Sequence, residues 1–208
     1  SSINCDGQIL VTDDILGLTE SKIKLAKQFG VSYDTRTKME VLKDLNNSGI
    51  EAYLNLQPNF FINLNGLEDE FSQNLISKQD EKNKFKKIYP LGEISNITTI
   101  LTNESGYYPI IETDEHGFNN PKGLYKKNKV DIVLTGDSFV EGYSVHSNES
   151  ISAVLRESGF KAISFGQGGN GPLLELATLK EFAKPLQPKV VLWSYYMNDL
   201  NWGGVVLG

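Results

Sequence analysis

Cysteine, histidine and long apolar runs are scarce in this chain of 208 residues. The one cysteine, Cys5, excludes an intrachain disulfide framework and any zinc site built on cysteine ligands. Two histidines, His116 and His146, are the whole supply of imidazole bases and ligands. His116 stands beside Asp114 and Glu115, but one imidazole in an acidic turn is weak ground for a metal, and none is expected. No window approaches the roughly 20 apolar residues of a membrane-spanning helix. The opening "SSINC" also lacks the apolar core of a secretion signal. The chain begins with Ser rather than Met, so a signal or membrane anchor upstream stays open, and with it an extracytoplasmic or membrane-tethered location. Basic stripes are missing as well. Lys and Arg number 20 against 26 Asp and Glu, a net charge of −6, and the cations are scattered. That argues against nucleic acid and against anionic membrane surfaces as partners.

What is present is an ordinary globular mixture, 39% apolar and 22% charged, with ten Phe and nine Tyr for core and pocket. The first part, residues 1–127, reads as an α/β extension. "TESKIKLAKQFG" (19–30) predicts a helix with Ile23, Leu25 and Ala26 on one side and Gly30 as its stop. "DTRTKMEVLKDLNNSG" (34–49) predicts a better one. Thr37 and Glu40 have capping-box spacing, Met39, Leu42 and Leu45 form a stripe, and Gly49 closes it. "IEAYLNL" alternates like a strand, residues 65–88 are polar enough for a surface loop or frayed helix, and "DEHG" and "NNP" mark two turns.

From residue 128 the pattern changes. "VDIVLTG" (130–136), "KAISFG" (161–166) and "KVVLWSYY" (189–196) predict buried strands. "ESISAVLRESG" (149–159), carrying Ile151, Val154 and Leu155, and "PLLELATLKEFAKPL" (172–186) predict the helices between them. Strand, helix, strand, helix, strand with short links means parallel pairing and right-handed crossovers. The expected fold is a three-layer α/β/α domain on a parallel, flavodoxin-like sheet over 128–208. In such sheets ligands bind beyond the carboxyl ends of the strands. Three chemically loaded segments fall at those ends: "GDSFVEG" (136–142), "GQGGNGP" (166–172) and "MNDL" (197–200).

Each segment has two readings. A serine in a tight turn after a buried strand can aim its hydroxyl into the crevice, but Gly136, Asp137 and Ser138 also simply favour turns. The stretch is neither the G-x-S-x-G elbow of α/β-hydrolases, since Val140 replaces the second glycine, nor a Walker loop, since no lysine follows Gly142. Gly166-x-Gly168-x-x-Gly171 matches a dinucleotide fingerprint, or it is a sharp turn needing glycine. Asn198 can donate to an oxyanion with Asp199 bracing its loop, or both only turn the chain.

Gly-Asp-Ser, a glycine-rich turn and Asn-Asp, in this order at successive strand ends, resemble the SGNH (GDSL-type) hydrolase superfamily over about residues 129–201. Gly136, Asp137 and Ser138 match the first block, Gly169 the second-block glycine, and Asn198 the third-block asparagine. Ser164 stands where the family often has Asn, and Tyr196 where it usually has Gly. The stretches "DTRTKMEVLKDL" and "DEHGFNNPKG" also look like the leader region of bacterial, often membrane-tethered SGNH proteins. The resemblance implies that Ser138 attacks an ester carbonyl. The Ser138 and Gly169 N–H groups and the Asn198 amide would hold the oxyanion, at about 3 kcal/mol each in the transition state. No cofactor is implied.

The family's base is missing. Its Asp and His come as D-x-x-H near the C-terminus, and this sequence carries no such motif. His146, eight residues beyond Ser138, and His116 are the remaining candidates, neither in a family position. The sheet is short too: only three strands of about five are expected after residue 129, leaving the third strand's flank exposed. Either the rest of the domain is absent, or residues 50–64 and 107–112 complete the sheet, or the domain is naturally incomplete. The functional expectation is a serine ester hydrolase or acyl-transferring protein acting on an acylated carbohydrate or similar ester. Its rivals are a catalytically silent SGNH-like binding or structural module and a dinucleotide-binding oxidoreductase.

Overall fold

The computed structural model describes residues 2–3, 9–10, 13–58 and 90–196. Cys5, the polar segment 65–88, Asn198 and Asp199 lie outside the described residues. Two short strands, β1 (Ser2–Ile3) and β2 (Ile9–Leu10), pair antiparallel. Helix α1 (Asp13–Phe29) starts earlier than the sequence predicts and stops at Gly30, whose φ of 66° few other residues adopt readily. Helix α2 (Lys38–Asn47) has the predicted capping box: Glu40 N–H donates to Thr37 Oγ1, and Thr37 N–H donates to the Glu40 carboxylate. Its buried apolar residue is Val41, not Met39, which is exposed. Leu25 on α1 is likewise exposed while Ala26 is buried, so each helix turns a slightly different face inward from the one its sequence suggests.

Strands β3 (Ala52–Leu54), β4 (Thr98–Ile100) and β5 (Ile110–Glu112) form a sheet in that order, β3 parallel to β4 and β4 antiparallel to β5. This is a separate mixed sheet. The expectation that residues 50–64 and 107–112 complete the parallel sheet does not hold among the described residues, because β4 takes up both strands itself.

The second sheet holds β6 (Ile132–Thr135), β7 (Ala162–Ser164) and β8 (Val190–Trp193), all parallel, in the order β7-β6-β8. Side chains alternate across it. Val133 and Ile163 pack with Phe118, Phe165, Phe182, Ala183 and Leu186. Leu134 and Ala162 pack from the other face with Val140 and Leu155. Between the strands run α3 (Ser138–Glu141), α4 (Ile151–Glu157), and a helix that begins as α5 (Pro172–Thr178) and ends as α6 (Lys184–Leu186). These two are joined by a π-helical turn, Leu179–Ala183, in which Lys184 N–H donates to Leu179 O. Pro185, which has no N–H to continue the regular ladder, follows at once. The helices and parallel strands make the class α/β. On α4 the predicted apolar residues Ile151 and Val154 are about half exposed. On β8, Val190, Val191 and Leu192 are 46%, 46% and 44% exposed, as expected of a flank with no further neighbour among the described residues. No helix among the described residues is long and apolar enough to cross a membrane.

Candidate functional site at the strand ends

Strand β6 ends at Thr135, and three backbone contacts then tie its exit to those of its neighbours. Ser194 N–H donates to Thr135 O at 2.9 Å, Phe165 N–H to Leu134 O at 2.8 Å and Gln167 N–H to Gly136 O at 3.2 Å. Gly136 is a close-approach glycine. A Cβ there would stand 2.6 Å from Val140 Cγ2 and 2.9 Å from Ser194 O. The three strand exits that carry the sequence blocks therefore meet at one end of the sheet, the carboxyl end.

Asp137 caps α3, its carboxylate accepting from Phe139 N–H at 3.0 Å. Ser138 opens that helix and is half-buried. Its carbonyl accepts from Gly142 and Tyr143 N–H, and Gly142 ends the helix with φ 78°. The Ser138 hydroxyl makes no hydrogen bond among the described residues.

The glycine-rich turn folds directly over α3. A Cβ on Gly166 would lie 2.3 Å from Glu141 N, so only glycine lets the two backbones touch. Ser164 links the pair, its hydroxyl donating to Val140 O at 2.9 Å and accepting from Gly166 N–H at 3.2 Å. Gly169 has φ 72°, a conformation that favours glycine. Asn170 beside it is 2% exposed, and neither its amide nitrogen nor its oxygen has a hydrogen-bond partner among the described residues.

Behind the turn lies a cluster that the sequence did not single out. Glu141, fully buried, accepts from Gly168 N–H at 2.5 Å. Glu93 lies near enough to interact with it electrostatically and accepts a hydrogen bond from the Asn55 amide, and Tyr143 Oη donates to Asn55 Oδ1 at 3.3 Å. Lys38, at the start of α2, faces both glutamates. Gln57 covers Gly168 so closely that a Cβ there would be 2.0 Å from its Nε2. Burial pushes the Glu141 carboxyl well above the ordinary range, helped by the charge of Glu93. Burial likewise pushes Glu93 up to about 7 and Lys38 down. Glu141 sits inside the quoted "GDSFVEG". Its signal was a carboxylate between Val140 and Gly142 in an otherwise buried segment.

Neither histidine meets Ser138. His146 stacks on Tyr107 with centroids 4.3 Å apart. His116 packs against Tyr125 and Phe182 at 4.4 and 5.1 Å, on the side of the sheet opposite α3. The "DEHGFNN" turn is instead a clip. Buried Asp114 accepts from His116 N–H, Phe118 N–H, Asn120 Nδ2 and Tyr125 Oη. The Asn120 amide in turn pairs with Ser164 N–H and Ser164 O, both at 2.8 Å. Among the described residues no cluster of three or more His, Cys, Asp or Glu is placed to hold a metal. A surface cavity of about 550 Å³, lined in part by Asn120, Lys122, Asn148 and Arg156, is separate: none of Ser138, Glu141 or Gly168 lines it.

Compared with family models, curated proteins and solved structures, the chain finds no match in any of the three.

Proposed function

We propose that the carboxyl end of the β7-β6-β8 sheet is the acyl-transfer site of an SGNH-type serine hydrolase, built on a three-layer, flavodoxin-like domain. The observation that carries the reading is the meeting of Gly136–Ser138 with the Gly166–Gly171 turn, joined by Gln167 N–H to Gly136 O at 3.2 Å. Ser138 Oγ would bond to the ester carbon and release the alcohol. Water or an acceptor hydroxyl would then take the acyl group from the serine. The Ser138 and Gly169 N–H groups are the proposed oxyanion donors, with the Asn198 side chain as a third and Asp199 bracing its loop. A glycan or other small ester is the proposed substrate class.

One observation favours the silent-module reading as the alternative: both imidazoles are engaged away from Ser138, so no base reaches it among the described residues. The dinucleotide reading is the weaker rival. Gly168 N–H, which would face a pyrophosphate, already donates to Glu141, and an anion there would meet two buried glutamates.

A fluorophosphonate probe separates the first two. Labelling of the full-length protein that disappears in Ser138→Ala supports the hydrolase. Absence of labelling on the intact protein hands the site to the silent module.

A further inference from the structure

Glu141 and Glu93 come from opposite directions into one buried seam. Glu141 is three residues beyond Ser138 on α3, and the packing of Gly166 against its backbone fixes where its side chain leaves. Asn119 Nδ2 holds its carbonyl at 2.8 Å. Glu93 is held by its own backbone, Glu93 N–H donating to Gly117 O at 3.0 Å. Gly92 and Gly117 permit that approach. A Cβ on Gly92 would lie 2.2 Å from His116 O, and one on Gly117 2.0 Å from Glu93 O.

Two carboxylates hydrogen-bond to each other only if one carries a proton, because the ionised group is acceptor-only. Glu93 Oε2 is buried and has no hydrogen-bond partner among the described residues. A proton on Glu141 supplies the missing donor, while its second oxygen still accepts from Gly168 N–H. Charge leads to the same assignment. Among the described residues Lys38 is the one cation facing the pair. Ammonium, one carboxylate and one carboxylic acid sum to zero, whereas two carboxylates leave an uncompensated charge in a desolvated seam.

We propose that Glu93 and Glu141 share a single proton, and that this protonated pair positions the Gly168–Gly169 turn, so that losing the proton loosens the turn and the site with it. The pair stands on the geometry above; only its effect on Ser138 chemistry rests on the hydrolase reading. Glu141 is thus a positioning residue, acting through Gly168 rather than on substrate. The groups that face the pair are Lys38 from α2, Asn55 and Gln57 from the segment after β3, Tyr143 beyond α3, and the Gly168 amide.

Burial raises both carboxyls in the folded state, Glu93 to about 7 from an ordinary 4.5. A raised carboxyl contributes stability that is complete below the unfolded value and is lost as pH rises through the folded one. The loss therefore runs from about 4.5 upward through about 7.

The test uses the full-length protein, Glu141→Gln and Glu141→Ala, with thermal unfolding followed from pH 5 to 8.5 and the fluorophosphonate labelling rate of Ser138 at each pH. A glutamine reproduces the protonated acid: its carbonyl accepts from Gly168 and its amide donates to Glu93. Glu141→Gln is expected to fold, to flatten the fall of Tm with pH, and to restore most of the labelling rate that Glu141→Ala loses. That loss is about tenfold or more if the turn shifts by a fraction of an ångström. An unchanged Tm–pH slope in Glu141→Gln, or damage in Glu141→Gln equal to that in Glu141→Ala, overturns the proposal. If the parent protein never labels while Glu141→Gln still flattens the slope, the proton-sharing pair stands and the hydrolase reading fails.

Discussion

The rings of Phe139 and Tyr196 sit with centroids 4.8 Å apart. Phe139 follows the proposed nucleophile, and Tyr196 lies two residues before Asn198, the third of the predicted site residues. The contact brings the exit of β8 against the first turn of α3, although the two are 57 positions apart in sequence. Phe139 and Tyr196 are each more than half exposed, so the pair is a surface contact that aligns two loops.

Gly136 makes the same junction sensitive to volume. In Gly136→Ala the new methyl meets Val140 Cγ2 and the Ser194 carbonyl, and the latter is backbone held by its own ladder bond. Overpacking of this kind costs about 1–3 kcal/mol. Urea denaturation should show that loss, with Ser138 labelling falling by more than the unfolded fraction explains. A variant as stable as the parent would mean that β6 and β8 do not lock together here.

Asn120 is the expected weak point of the clip. Its amide occupies the outer edge of β7, satisfying Ser164 N–H and Ser164 O while also donating to Asp114. Asn120→Ala leaves Ser164 N–H and Ser164 O unpaired, at a cost of about 2–6 kcal/mol when each orphaned group costs about 1–3. Asn120→Asp should be worse, because a carboxylate would then face both Ser164 O and the Asp114 carboxylate. Equilibrium unfolding of the two variants ranks them, and the reverse order would contradict the hydrogen-bond assignment.

Much of the parallel sheet was legible because its signals are local. "VDIVLTG", "KAISFG" and "KVVLW" are apolar runs with clear exits, and each forms the strand predicted, shortened to three or four residues. The Thr37–Glu40 box likewise needs only four residues to declare itself. The mixed sheet was half legible, since Thr98–Ile100 lies in "ISNITTIL", where Asn and Thr mask a strand of three residues. The cluster of Lys38, Asn55, Glu93, Glu141 and Gly168 was not legible. Its members lie up to 130 positions apart, and no periodicity links them; only the packing of Gly92 on His116 and Gly166 on Glu141 brings them together. Asn198 lies outside the described residues, which end at Tyr196 on this side.

The glycine fingerprint yields a negative prediction. Gly168 is covered by Gln57 and bonded to Glu141, and a pyrophosphate would have to displace both. Titration with NADH should give no saturable fluorescence enhancement. Saturable binding abolished by bulky substitution at Gly169 would restore the oxidoreductase reading.

Helix α2 offers a way to perturb the carboxyl seam from outside. Its first turn carries Lys38, and the Thr37–Glu40 box sets that turn. Thr37→Ala removes the two hydrogen bonds between the Thr37 hydroxyl and Glu40 and should cost about 1 kcal/mol. Arg36, next to it, touches Asp34 and Asp44 at 2.6 and 2.7 Å, yet its side chain is 48% exposed. Solvent screens such pairs, so Arg36→Ala should destabilise less than Thr37→Ala despite its larger number of contacts. Raising the salt concentration should shrink the Arg36 effect and leave the Thr37 effect nearly unchanged. Because a frayed first turn also lets Lys38 drift from Glu93 and Glu141, Thr37→Ala should alter the dependence of Tm on pH, and Arg36→Ala should not. Equal pH profiles for the two variants would mean that Lys38 is held by its burial in the seam and not by the cap.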